Sequence, residues 1–242
     1  MNIALIGYGK MGKEIDRIAS ERGFGVECRV TSRSTLNDSD ITKSDVAIHF
    51  AKPDSVLPHV RRLAALRKNI VIGTTGWQNE LDKVRTIVRD SKIGAVYASN
   101  FSIGVQLFFR LTQEAARLMN SFSEYDVYIQ EAHHKDKIDS PSGTALAAAS
   151  ILLEHIKRKQ TILSDPPQGK IHPDQLQITS TRAGAIVGTH TITFDSLADV
   201  IELKHSAKNR SGFALGALLA AEWIKGKQGM FTMEDVVADI VH

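Results

Sequence analysis

Apolar and polar positions follow two different rhythms along the chain, and the change between them divides it. Short apolar runs at 1–6, 26–30, 46–50, 70–72 and 94–98 have strand length. Between them, residues 13–22, 56–67 and 81–89 repeat apolar positions at the spacing of amphipathic helices. Continuously apolar strands separated by helices imply βαβ crossovers and a parallel, doubly wound sheet covered on both faces. Past Phe101 the rhythm changes: a helical pattern over 105–119 leads into strict alternation over 126–132, and then an Ala/Leu-rich helical pattern over 144–159. A polar segment at 164–174 holds Pro166, Pro167, Gly169 and Pro173, and three alternating runs follow at 175–182, 186–194 and 200–205. These give about four strands with too few crossovers for a parallel sheet, so the expectation is a separate α+β domain with a mixed or antiparallel sheet and helices on one face. Residues 212–225 and a short helix capped by Thr232 form a tail expected to pack back on the first sheet, which otherwise lacks cover.

The first run leads directly into Gly7-Tyr8-Gly9-Lys10-Met11-Gly12 and then a helix. This is G-x-G-x-x-G in the strand-to-helix setting it needs: Gly7 for the tight turn, Gly9 for close approach of a pyrophosphate, Gly12 for helix packing. The fold class read from the sequence is therefore α/β, with a Rossmann-like N-terminal sheet. Such sheets bind ligands at the carboxyl ends of their strands. Three further loops lie there, carrying Phe50 and Lys52, then Gly73, Thr74 and Thr75, then Ala98, Ser99, Asn100 and Phe101. Each alone is ordinary turn chemistry; together, on one sheet edge, they read as a cofactor lining.

Glu131-Ala-His-His-Lys-Asp-Lys-Ile-Asp-Ser-Pro-Ser-Gly-Thr-Ala145 is read as a loop joining a strand end to a helix start. A helix N-terminus offers unpaired N–H groups and the positive end of its dipole, so Ser142, Gly143 and Thr144 form a carboxylate or phosphate site. Lys135 and Lys137 add positive charge, and His133 and His134 can change protonation near neutral pH.

Composition narrows the function classes. With 30 Lys+Arg against 27 Asp+Glu the net charge is only +3 and is spread along the chain, which argues against nucleic-acid binding. Apolar runs are short and broken by charge, so no membrane span or signal peptide is expected. The lone Cys28 excludes an internal disulfide and fits a reducing, cytoplasmic setting. The domains expected are 1–103 with 207–242 for the dinucleotide and 104–206 for substrate and oligomerisation, joined near Ser102 and Ser206 and closing over substrate.

Gly9-Lys-Met-Gly12, Gly73-Thr-Thr-Gly76, Asn100-Phe-Ser-Ile-Gly104, Glu131-Ala-His-His-Lys-Asp-Lys137, Asp139-Ser-Pro-Ser-Gly-Thr-Ala145, Arg182-Ala-Gly and Gly188-Thr-His190 occur in order along essentially the whole chain. This set resembles the 4-hydroxy-tetrahydrodipicolinate reductases of the lysine and diaminopimelate pathway. The resemblance implies hydride transfer from a nicotinamide cofactor to a cyclic, imine-containing dicarboxylate. His133 stands at the position of the acid, and Lys137 at that of a second proton donor or clamp. His134, Ser142, Gly143 and Thr144 stand where the substrate is held. It also implies a homotetramer assembled through the C-terminal sheet, with no metal. Two positions depart from the family pattern: His49-Phe-Ala-Lys-Pro53 replaces Asp-Phe-Thr before the basic residue, and Thr31-Ser-Arg33 replaces an acid at the end of the second strand. Without that acid to repel a 2′-phosphate, Arg33 with Thr31 or Ser32, and Lys52 nearby, point to NADPH as the preferred cofactor over NADH. The alternatives are another two-domain NAD(P)-dependent dehydrogenase, or a dinucleotide sensor without turnover.

Overall fold

The first strand, β1 (Asn2–Ile6), divides its side chains between two cores. Ile3 and Leu5 enter one and Ala4 and Ile6 the other, the period-two signature of a strand covered on both faces. The computed structural model describes every residue except Ser32, Thr35 and His242. It divides into two compact units: Met1–Ile103 with the segment from Arg210 onward, and Gly104–Asn209.

In the first unit the chain continues through α1 (Lys10–Glu21), β2 (Gly25–Val30), α2 (Asp38–Ile41), β3 (Val46–His49), α3 (Val56–Ala65), β4 (Asn69–Ile72), α4 (Leu81–Asp90) and β5 (Gly94–Tyr97). The six-stranded sheet has the order β5-β4-β3-β1-β2, with a last strand, β11 (Gly229–Thr232), outside β5, and is parallel throughout. Chain direction across the sheet reverses between β1 and β3, so their carboxyl ends part there and leave a crevice. One core lies between the sheet and α1 with two later helices, and the other between the sheet and α3 with α4. Each fully buried Ile, Leu or Val in these layers contributes about 1.5–3 kcal/mol. The C-terminal tail does cover this sheet. After the second unit, α7 (Ser211–Trp223) packs on α1, β3 and β4, β11 (Gly229–Thr232) pairs with β5, and α8 (Met233–Val241) follows. Thr232 caps α8, its hydroxyl accepting the Asp235 N–H at 3.2 Å.

The second unit holds α5 (Ile103–Met119, entering from the first), β6 (Asp126–His133), α6 (Gly143–His155), β7 (Thr161–Leu163), β8 (Gln175–Arg182), β9 (Thr189–Asp195) and β10 (Val200–Ser206). Its five-stranded sheet runs β10-β9-β6-β8-β7; β6, β8 and β7 are parallel, and β9 is antiparallel to both β6 and β10. The mixed sheet is thus as expected, with β7 added. Residues of α5 and α6 form one core with Val127, Ile129, Leu176, Ile178, Ile192 and Phe194 of the sheet. The helical pattern over 144–159 is cut short at His155. Ile156 turns extended, and the Lys159 ammonium is drawn in to the carbonyls of Pro173 and Gln175, at 2.9 and 2.8 Å.

Candidate active site

On three neighbouring strands of the mixed sheet the buried face changes character at one end. Val127 and Ile129 on β6 are followed, two residues apart, by Glu131 and His133; Leu176 and Ile178 on β8 lead to Arg182; Phe194 and Ile192 on β9 lead to His190. Strand register sets Glu131 opposite His190 and His133 opposite Arg182. A sheet end that began as hydrophobic core therefore becomes a cluster of ionisable groups. Glu131 lies in the strand expected over 126–132, and His133 extends that strand where a loop is expected, because Glu131 takes up its Nδ1–H and β8 continues the ladder beside it as far as Arg182.

His133 Nδ1–H donates to the Glu131 carboxylate. The other Glu131 oxygen accepts from Arg182 Nη2 at 2.7 Å and from the Ser142 N–H at 3.3 Å. The Ser142 hydroxyl, at the N-cap of α6, accepts the Ala145 N–H at 3.2 Å and is 3.0 Å from His190 Nε2. The His133 and His190 rings meet edge to face with centroids 5.1 Å apart. Burial works against the Glu131 charge, yet Arg182 and its other donors hold the carboxyl below its ordinary range. Burial also pushes His133 below its ordinary value, against an upward pull from Glu131. Among the described residues no carboxylate is bonded to His190, and burial pushes it down to about 4. Because Nδ1 is committed to Glu131, the chemistry of His133 is left to Nε2. A Cβ added at Gly188 would stand 3.0 Å from that nitrogen, so the glycine keeps its approach clear. His190 Nδ1 and Arg182 Nε are buried with no hydrogen-bond partner among the described residues, the mark of a site that a polar ligand completes.

Glu131, His133 and His190 could each offer a metal one ligand atom, all within 4.8 Å. Both Glu131 oxygens, however, are already held by cationic or N–H donors, and a metal would have to displace the His133 proton in the face of the Arg182 guanidinium. The donor set reads as a hydrogen-bond network.

Beyond the strand, Lys137 Nζ clasps both carboxylate oxygens of Asp139, at 2.7 and 2.8 Å. Lys137 and the Gly143 backbone hold the Asp139 carboxyl below its usual range. The chain's own carboxylate at Asp139 thus lies against Lys137 and the start of α6. Gly143 is exposed, His134 and Thr144 are half-buried, and the Ser142 N–H and hydroxyl both turn inward to the cluster.

In the first unit, a cavity of about 480 Å³ opens at the crevice between β1 and β3, lined by Gly7, Tyr8 and Gly9 on one side and Phe50, Ala51 and Lys52 on the other, with Thr31, Ser34, Ser55 and His59 beyond. Gly7 has φ +98°, and a Cβ there would fall 2.2 Å from the Phe50 carbonyl oxygen. Gly9 is the N-cap of α1 and has no side-chain capping bond, so the first N–H groups of that helix are available to a pyrophosphate. The residues therefore fit a dinucleotide. Tyr8 donates its hydroxyl to Asp16, which Arg29 grips through two nitrogens at 2.6 and 2.7 Å. That pairing neutralises Arg29, while Arg33 and Lys52 stay exposed. Ser32 lies outside the described residues.

The remaining expected cofactor residues divide. Lys10, Thr75 and Ser99 are exposed, and Met11, Ala98 and Asn100 are half-buried. Gly12 and Gly73 are packing glycines, against Gly7 and the Phe50 ring. Phe101 is a core residue, 1% exposed, and the Thr74 side chain faces inward to His49 and Ala51, so these two build the wall behind the cavity. Sequence reasoning missed Ser34, Ser55 and His59 in the cavity and gave His190 and Arg182 no part in the cluster. The alternating apolar positions before Arg182 and around His190 were the available signal, since they assign both residues to the inner face.

A glycine turn at the switch point of a parallel sheet in one unit, and a buried acid–base cluster at a strand end in the other, define a two-domain oxidoreductase. The chain belongs to the dihydrodipicolinate reductase family: residues 1–101 match the model of its N-terminal domain and residues 104–237 that of its C-terminal domain. It is 40% identical over 241 residues to the 4-hydroxy-tetrahydrodipicolinate reductase of Christiangramia forsetii, covering 99% of both chains. It is 37% identical over 204 residues to the enzyme of that name from Neisseria meningitidis, covering 83% of this chain and 75% of the relative. In fold it is similar to a dipicolinate-bound dihydrodipicolinate reductase from Paenisporosarcina sp. TG-14, with TM-score 0.78, 24% identity and coverage of 97% and 98%.

Proposed function

We propose that this protein is an NAD(P)H-dependent 4-hydroxy-tetrahydrodipicolinate reductase of lysine and diaminopimelate biosynthesis: the substrate loses water to give dihydrodipicolinate, whose conjugated C=N then takes a hydride and a proton to form tetrahydrodipicolinate. The observation that carries the reading is the Arg182–Glu131–His133 array, with Nε2 of His133 kept clear by Gly188. The nicotinamide, when bound, supplies the hydride. Hydride addition to a conjugated C=N leaves negative charge on nitrogen, and a positioned acid must quench it. His133 serves as that acid through Nε2, and the Glu131 carboxylate at Nδ1 stabilises its charged form. A dianionic substrate adds to that stabilisation, which offsets the downward push of burial on His133. Lys137 clamps one substrate carboxylate in place of Asp139 and stands as the second candidate proton donor. Gly143 and Thr144 at the start of α6 bind a carboxylate through the helix terminus, and His134 lies beside them.

NADPH is the preferred cofactor and NADH the second. Arg33 pairs with the 2′-phosphate, Thr31 or Ser32 donates a hydrogen bond and Lys52 adds charge, with no acid at the strand end to repel the anion. The protein works in the cytoplasm as a homotetramer assembled through the mixed sheet, which carries helices on one face only.

The test is to mix the protein with NADPH and freshly made synthase product and follow the nicotinamide absorbance. Consumption is expected; folded protein that consumes none overturns the reading. Comparing kcat/KM for both cofactors in wild type and Arg33→Ala tests the preference. An equal loss for NADPH and NADH removes Arg33 from the 2′-phosphate.

A further inference from the structure

The dinucleotide cavity has a wall that the proposed chemistry leaves unused. His49, the last residue of β3, is 1% exposed; its Nδ1 lies 2.8 Å from Thr74 Oγ1 and its Nε2 lies 3.0 Å from His59 Nδ1. His59, on α3, lines the cavity. The two rings stand edge to face at 5.2 Å. Thr74 is itself fixed, since the Trp77 indole N–H donates to its carbonyl at 2.7 Å and its hydroxyl oxygen accepts the Ala51 N–H at 3.0 Å.

The distances decide which way the protons run. The Thr74 hydroxyl has one hydrogen and three possible acceptors: His49 Nδ1 at 2.8 Å, the Ala51 carbonyl at 3.3 Å and the His49 carbonyl at 3.4 Å. Only the first lies within the usual span of a hydroxyl donor. Thr74 O–H therefore donates to His49 Nδ1, His49 Nε2–H donates to His59 Nδ1, and the one remaining proton of His59 sits on Nε2. The opposite order strands the Thr74 hydroxyl on a long contact. A charged His59 is also disfavoured, because it would set an Nδ1–H against the N–H of His49.

We propose that Thr74 and His49 hold His59 as a neutral ring with its proton on Nε2, and that His59 donates it to a ring nitrogen of the adenine of the bound dinucleotide. This rests on the reading that the cavity takes NAD(P)H. The glycine turn receives the pyrophosphate, and Thr31 and Ser34 mark the ribose position at the end of β2. His59 lines the same cavity, and in the proposed pose the adenine, which continues from the ribose away from the glycine turn, falls beside it. A neutral N–H donor matches the uncharged acceptor nitrogens of a base, whereas a 2′-phosphate calls for a cation. His59 is a binding residue in this scheme, and His49 acts through it as a positioning residue.

The test is binary binding of NADPH and NADH without substrate, read by nicotinamide fluorescence, together with nitrogen-15 spectra of the histidines in the wild-type protein. The spectra should show His59 protonated on Nε2 alone. His59→Phe should weaken both cofactors by about the same five- to tenfold, the scale of one lost hydrogen bond. His49→Asn keeps the Thr74 contact and loses the His59 contact, so it should weaken both as well. His49→Gln sets an amide N–H near the place of Nε2 and should restore most of the affinity. A His59 proton on Nδ1 overturns the assignment, as does unchanged affinity in His59→Phe or a loss confined to NADPH. Wild-type protein that binds neither cofactor overturns the functional reading along with it.

Discussion

Each sheet carries at one end a buried histidine paired with a second, and the pairs are close copies in packing: His49 of β3 with His59 of α3 at 5.2 Å and 60°, His133 of β6 with His190 of β9 at 5.1 Å and 71°. Their surroundings differ in one respect. His49 faces a hydroxyl and another imidazole, and burial with the neighbouring His59 pushes it down to about 3. His133 faces the Glu131 carboxylate, itself steadied by Arg182, and this pulls upward against burial. The same side chain in nearly the same geometry thus serves, in the roles proposed above, as a fixed dipole in one unit and a proton carrier in the other. The carboxylate makes the difference, and histidine alone does not define an acid.

That contrast can be broken most forcefully at its catalytic end. His133→Ala is expected to lower kcat by about 10²–10⁴-fold, the usual worth of a general acid, and Lys137→Ala to lower it strongly too, while NADPH affinity measured by titration stays near wild type. If a variant with both changes turns over normally, the acid lies elsewhere. A smaller effect is expected from Gly188→Ala. Its methyl group would crowd Nε2 of His133 from 3.0 Å, and misplacing a reacting group by about 1 Å costs on the order of 10²-fold. Single-turnover rates that match wild type would show that Nε2 is not the working nitrogen.

The buried members of the two pairs should also appear in acid stability. His49 and His190 fall from an ordinary 6.5 to about 3 and about 4, so below pH 6.5 the unfolded chain binds more protons than the folded one. Their stabilisation is complete above 6.5 and is lost as pH falls through about 4 and then about 3, a change on the order of a few kcal/mol. Denaturant unfolding across that window should slope downward toward acid, and a level profile would contradict the burial argument. The smallest change concerns the clamp. Asp139→Asn frees Lys137 of an exposed ion pair worth roughly 0.2–1 kcal/mol, and should lower the substrate KM by up to about fivefold with kcat little moved. A raised KM would mean that Asp139 helps to hold the substrate.

Local pattern gave away those elements whose own residues dictate them. The apolar run into Gly7, the helices beginning near Val56 and Leu81, and the alternation over 175–182 all reappear as elements. What escaped depends on distant partners. β11 has only the residues Gly229–Thr232 and is a strand because β5 offers it an open edge. α6 loses its last turn to contacts made by Lys159 across the unit. The strand is expected to end at Ala132 because the charge-rich run that follows usually marks solvent, yet β8 continues the ladder through His133 and keeps it in the sheet. For the same reason His190 and Arg182 were legible as inner-face strand residues but not as companions of His133, since register between strands is not written in any one of them.

Ser142 illustrates how such an arrangement limits change in the sequence. One residue caps α6 with its hydroxyl, meets His190 with the same oxygen, and lends its N–H to Glu131. Alanine keeps only the last of these, asparagine can cap but cannot fit a buried space shaped for a hydroxyl, and threonine alone retains the oxygen while adding a methyl group. Drift at this position is therefore confined almost to a single exchange, and any wider replacement has to be accompanied by a matching change at His190 on another strand. In the variation among descendants of this chain, residues 142 and 190 should behave as one character rather than two.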